Sequence, residues 1–120
     1  MRKERRKFSR VRISVEVGGK HSDSPLIKVR SLDISLGGIH LLLPEKLLKD
    51  TVMELEINLP LPPVITRGKV VWIKETETKK GKFFQTGIEF TEIKQADKAR
   101  IEAFIHSIDR LPKSFYHKYP

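Results

Sequence analysis

Two short stretches carry side chains that could do chemistry together. The first, Arg5-Arg6-Lys7-Phe8-Ser9-Arg10-Val11-Arg12-Ile13, sets five cations into nine positions. The planar fork of arginine suits bidentate contact with a phosphate, or with O6 and N7 of guanine. The second, Asp33-Ile34-Ser35-Leu36-Gly37-Gly38, sets a carboxylate and a hydroxyl two positions apart, ahead of a glycine pair. A carboxylate beside a hydroxyl can accept hydrogens from the N1 and N2 edge of guanine. Glycine removes the Cβ that would hold a flat base away from the backbone. Taken alone, the second stretch also describes a plain strand connection, with Asp33 and Ser35 bonding the turn backbone and the glycines supplying positive φ. The presence of the arginines favours the binding reading.

Composition agrees with an anionic partner. The formal net charge is +9 over 120 residues, with a sequence pI near 9.9. Residues 2 to 12 hold seven Lys/Arg against the single acid Glu4, so most of the excess sits at one end. Concentrated charge of this kind marks nucleic acid, a nucleotide or a membrane face more often than it marks solubility. Were residues 6 to 10 extended, Arg6 and Arg10 would stand about 13 Å apart at about 3.3 Å per residue, too far to grip one phosphate. Mutual repulsion among Arg2, Lys3, Arg5, Arg6 and Lys7 predicts a flexible basic arm that folds over the domain when a dianion binds. The absence of cysteine excludes disulfides and thiolate chemistry. No signal peptide or spanning helix is legible, which points to the cytoplasm and to no membrane span.

The elements that must position these groups follow from hydrophobic period. Val11, Ile13, Val15 and Val17 alternate with polar residues, predicting a first strand that Gly18-Gly19 ends. Further strands are predicted over Leu26 to Leu32, around Ile39, Leu41 and Leu43, over Met53 to Leu59, over Thr66 to Lys74 and over Phe83 to Phe90. Pro60-Leu61-Pro62-Pro63 must be a loop, and Glu75 to Lys82 reads as a charged connection. After Glu92 the period lengthens: Ile101, Phe104, Ile105, Ile108 and Leu111 describe one amphipathic helix ending before Pro112. The expected fold is all-β with one C-terminal helix, a small six-stranded antiparallel barrel forming one domain. Its parts are a basic arm over 1–12 that enters the first strand, the barrel over 10–92, the helix over 93–111 and a tail over 112–120.

Arg6-Lys7-Phe8-Ser9-Arg10 followed by Asp33-Ile34-Ser35-Leu36-Gly37-Gly38 resembles the paired signature of PilZ domains, R-x-x-x-R and [D/N]-x-S-x-x-G. Gly68-Lys69-Val70-Val71-Trp72 and Gly87-Ile88-Glu89-Phe90 resemble later strands of that family, so the likeness runs over roughly residues 4 to 110. The resemblance implies a bacterial second-messenger receptor that binds cyclic di-GMP without catalysis and relays the signal to a protein effector. It implies that Arg6 and Arg10 hold phosphates and guanine edges, while Asp33, Ser35, Gly37 and Gly38 surround a base. Arg5, next to the motif, accompanies an intercalated pair of ligands in the family, which favours two cyclic di-GMP molecules per chain. Trp72 stands either near the guanines or in plain barrel packing.

Other residues have quieter readings. His21, His40, His106 and His117 lack metal-ligand spacing and read as strand-face or surface residues, so no metal or cofactor is expected. Glu54 and Glu56 read as a solvated strand face, and neither Ser9 nor Ser35 has a base at a recognisable spacing. The basic and aromatic tail Lys113 to Pro120 reads as a frayed end, or as a segment that docks a partner. The competing function class is a nucleic-acid-binding barrel using the basic arm. It accounts for the net charge but not for Asp33, whose carboxylate would repel a phosphate backbone.

Overall fold

The computed structural model describes residues 10–21, 26–59 and 62–109. Arg5, Arg6 and the rest of segment 1–9, and the tail from residue 110 onward, lie outside the described residues, as does the expectation of a flexible arm. The elements in chain order are β1 (Arg10–Val11), β2 (Glu16–Lys20), β3 (Ile27–Ser35), β4 (Gly38–Leu43), β5 (Val52–Ile57), β6 (Val64–Thr78), β7 (Gly81–Glu92) and α1 (Gln95–Asp109). Antiparallel pairing runs β2–β3–β4–β7–β6–β5 and returns to β2, a closed six-stranded barrel with a C-terminal helix, as the alternation predicts.

The interior is filled by one face of each strand. Val17, Ile34, Ile39, Leu41, Leu55 and Val70 are among the fully buried side chains. Ile101, Ile105 and Ile108 of α1 are buried with them, and the helix lies against β1 and β3. Fully burying an isoleucine is worth roughly 1.5–3 kcal/mol, so this stripe explains why the helix stays on the barrel. Arg100 of α1 donates to the carbonyl oxygens of Pro62 and Pro63, tying the helix to the β5–β6 connection.

Four boundaries differ from the alternation reading. The first strand is broken: β1 and β2 both pair with β3, and residues 12–15 between them leave the ladder. Buried Ser31 fills the gap. Its Oγ accepts from Val15 N at 3.0 Å and donates to Ile13 O at 2.8 Å, while its own N–H donates to Val15 O at 2.9 Å. Gly18 and Gly19 do not end a strand but sit inside β2, between β3 and β5. A Cβ on Gly19 would come within 2.9 Å of Met53 Cε, so the glycine makes room for a core side chain. The third difference concerns the second predicted strand, which continues past Leu32 to Ser35 and carries Asp33 out of the turn.

Last, most of Glu75 to Lys82 is strand rather than connection. β6 and β7 continue pairing to Thr78↔Gly81 around the turn Lys79-Lys80. Lys80 N donates to Thr78 Oγ1 at 3.1 Å, and Gly81 takes φ 123°. Charged residues are tolerated because this end of the ribbon is exposed, and Lys82 pairs with Glu75 at 3.3 Å. Since Ser31 stands in for a missing ladder partner, Ser31→Ala should lower stability by about 1–3 kcal/mol, the cost of stranding buried backbone groups. Urea unfolding followed by circular dichroism measures it, and an unchanged midpoint would contradict the assignment.

Candidate functional site

The site is built by a row of residues that crosses four strands. Register pairs Asp33 of β3 with His40 of β4, His40 with Gly87 of β7, and Gly87 with Trp72 of β6. All four look outward because their neighbours Ile34, Ile39, Leu41, Ile88 and Val70 fill the core. Two β-bulges bring this about. Strict alternation from buried Ser31 would point Asp33 inward, and from buried Val70 would point Trp72 inward. Leu32 is an extra residue opposite β4 and Val71 an extra residue opposite β7, and each turns the strand over.

Within the row, His40 Nδ1 lies 3.1 Å from Asp33 Oδ2. A carboxylate only accepts, so Nδ1 carries the hydrogen. The His40 and Trp72 rings meet edge to face, centroids 4.8 Å apart at 62°. They can touch because the residue between them is glycine: a Cβ on Gly87 would overlap the indole. His40 Nε2 is buried without a hydrogen-bond partner among the described residues. Such an atom costs about 1–3 kcal/mol, and functional sites are where such costs are tolerated.

A cavity of about 630 Å³ opens over this row, lined by Asp33, His40 and Trp72 together with Gly37, Gly38 and Glu89. That volume lies within the range of roughly 300–1,000 Å³ usual for small-molecule sites. A second groove of similar volume runs past Ile65 and Arg67. There, however, the guanidinium is paired with Glu54 at 3.6 Å and Glu92 at 3.5 Å. Among the described residues no group of His, Cys, Asp or Glu could hold a metal ion, and none of their helices is long and apolar enough to cross a membrane.

The residues singled out in the sequence fall into distinct places. Ser35 is buried, its Oγ accepting from Gly37 N at 3.2 Å and lying 3.4 Å from Gly38 O, so its hydroxyl braces the Leu36-Gly37 connection. Gly38 is not needed for positive φ, which among the described glycines only Gly81 adopts. It is needed because a Cβ there would overlap the carbonyl oxygen of Ile88 on β7. The backbone of Arg10 pairs with Ser35 through β1, at the end of β3 that leads into the glycine turn. Trp72 is 44% exposed and lines the cavity. His40, read from the sequence as a strand-face or surface residue, and Gly87, read as part of a family-like strand, were not singled out as site residues. The signal was there: with only Leu36 and Gly37 between the strands, register gives 35 opposite 38, 34 opposite 39 and 33 opposite 40.

A closed barrel with one helix and a cavity lined by Trp72 on its outer wall describes a small β-barrel domain. A family model described as PilZ domain matches residues 4–107, and the chain belongs to that family. Solved structures share the fold, among them the following three. The inhibitor of motility MotI/DgrA of Bacillus subtilis matches with TM-score 0.75 and 21% identity, over 93% of this chain and 56% of its own. The PilZ domain of Escherichia coli YcgR, solved with c-di-GMP, matches with TM-score 0.77 and 19% identity, over 97% and 100%. The MrkH–c-di-GMP complex of K. pneumonia matches with TM-score 0.74 and 18% identity, over 96% and 55%. The chain thus spans little more than half the length of MotI and MrkH. No curated protein matches at the level of sequence.

Because Trp72 is the chain's single tryptophan, its emission reports on this row. Gly87→Ala should displace the indole from His40 and shift that emission, while costing about 1 kcal/mol of stability because the half-exposed ring can swing outward. Fluorescence and thermal melting check both, and an unmoved spectrum would contradict the contact.

Proposed function

We propose that this domain is a non-catalytic receptor for cyclic di-GMP, the ligand with which the YcgR and MrkH neighbours were solved. The observation that carries the reading is the row Asp33, His40, Gly87 and Trp72 under one cavity. Guanine offers the adjacent donors N1–H and N2–H, which a carboxylate such as Asp33 accepts. Its flat face needs an aromatic neighbour, which Trp72 supplies where the missing Cβ of Gly87 lets the indole lie. The two phosphates need cations. Among the described residues the titratable side chains lining the cavity are Asp33, His40 and Glu89, and we assign the positive charge to Arg5, Arg6 and Arg10, as the family motif implies.

This division of labour is a clamp, with base acceptors on the barrel and phosphate donors on the segment leading into β1. Closing it over two intercalated ligands, the stoichiometry that Arg5 favours, would alter the surface that a protein effector meets. The carboxylates in the cavity weigh against the nucleic-acid reading, since they repel a phosphate backbone.

Calorimetric titration with cyclic di-GMP, beside GTP and a short single-stranded oligonucleotide, tests the proposal. Saturable binding of the cyclic dinucleotide at two per chain is expected, weakened about tenfold or more by Arg6→Ala or Asp33→Ala, since hydrogen bonds to charged groups contribute about 1.5–3 kcal/mol. Binding of the oligonucleotide alone, steeply salt-dependent and tolerant of Asp33→Ala, would replace the receptor with a nucleic-acid barrel. Amide exchange of residues 2–10 should slow on ligand addition, and unchanged rates would remove the clamp from the mechanism.

A further inference from the structure

We infer that His40 is a positioning residue that sets the purine selectivity of this site by fixing the carboxylate of Asp33; the inference rests on the receptor reading above. The two side chains bond across β3 and β4 at 3.1 Å and are only 16% and 15% exposed. The imidazole is itself held edge-on against Trp72, centroids 4.8 Å apart, on a strand that buried Ile39 and Leu41 anchor from its other face. An aspartate without such a partner turns about its side-chain torsions, whereas one tied to a clamped ring presents its oxygens in one direction. A carboxylate accepts several hydrogen bonds at once, so the imidazole orients it without using it up.

Direction matters because guanine and adenine differ on the edge that Asp33 would read. Guanine presents N1–H and N2–H, and adenine presents the N1 lone pair and a C2 hydrogen. A fixed carboxylate attracts the first and repels the second, and discrimination needs both terms. A carboxylate that loses the imidazole's hold forfeits part of the attraction and relieves part of the repulsion. His40 therefore governs the ratio of the two affinities.

The test titrates the full chain with cyclic di-GMP and with cyclic di-AMP, in the wild type, His40→Leu and His40→Asn, and records Trp72 emission for each. Leucine and asparagine branch alike at Cγ, but only asparagine places an N–H where Nδ1 stands. His40→Leu should bind cyclic di-GMP about tenfold more weakly, as loss of one well-aligned charged contact implies, with cyclic di-AMP unchanged or tighter. His40→Asn should restore the preference although Trp72 emission is altered in both variants, which would identify the bond to Asp33, rather than the ring contact, as the working part. Wild-type selectivity in His40→Leu, or lost selectivity in a folded His40→Asn, overturns the assignment. Should His40→Leu not fold, His40→Asn against the wild type decides alone. A wild type that does not bind cyclic di-GMP overturns the receptor reading itself, whereas binding with unaltered variants removes only the role of His40.

Discussion

A strand has a side-chain period of two, and one extra residue therefore reverses every position beyond it. The candidate site depends on this constraint being broken twice. Leu32 in β3 and Val71 in β6 each stand unmatched against the neighbouring strand. Before the bulges, Ser31 and Val70 face the core; after them, Ile34 and Ile73 take over that role, and Asp33 and Trp72 emerge on the outer wall. Without the slips, a carboxylate and an indole would be driven into an interior filled with leucine, isoleucine and valine. The barrel pays for the slips in lost ladder hydrogen bonds, and closure of the ring keeps the local loss from spreading.

Between the two re-aimed side chains the sheet supplies room rather than groups. Gly87 permits the contact of His40 with Trp72, and Gly38 permits β4 to approach the carbonyl of Ile88. The same economy accounts for Ser35, whose hydroxyl is spent on holding the Leu36-Gly37 connection. Small residues where strands approach, and the side chains of Asp33, His40 and Trp72, together line a cavity of about 630 Å³.

Electrostatics splits the protein into complementary parts. The cavity is lined by Asp33 and Glu89, whereas the excess of positive charge is concentrated in residues 2 to 12. In the proposed receptor a dianion with two bases would be suited by such a division, its bases meeting acceptors on the barrel and its phosphates meeting arginines on the chain entering β1. A polyanion without exposed guanine edges gains from the second part and is repelled by the first.

The amino-acid sequence by itself determined the barrel, the helix and the chemical types at the site. Alternation at Ile39, Leu41 and Leu43 and at Met53, Leu55 and Ile57 is a local consequence of half-buried strands, and the three- and four-residue steps from Ile101 to Ile108 are equally local. Motif spacing was enough to single out Asp33, Ser35 and the glycines. Only the tertiary structure decided which way Asp33 and Trp72 face, that Ser35 is buried, that Gly18-Gly19 run through a strand, and that His40 completes the row. The physical reason is common to all of them. A bulge, a close approach or a cross-strand bond is a relation between two strands distant in sequence, and its energy exists only once the ring has closed.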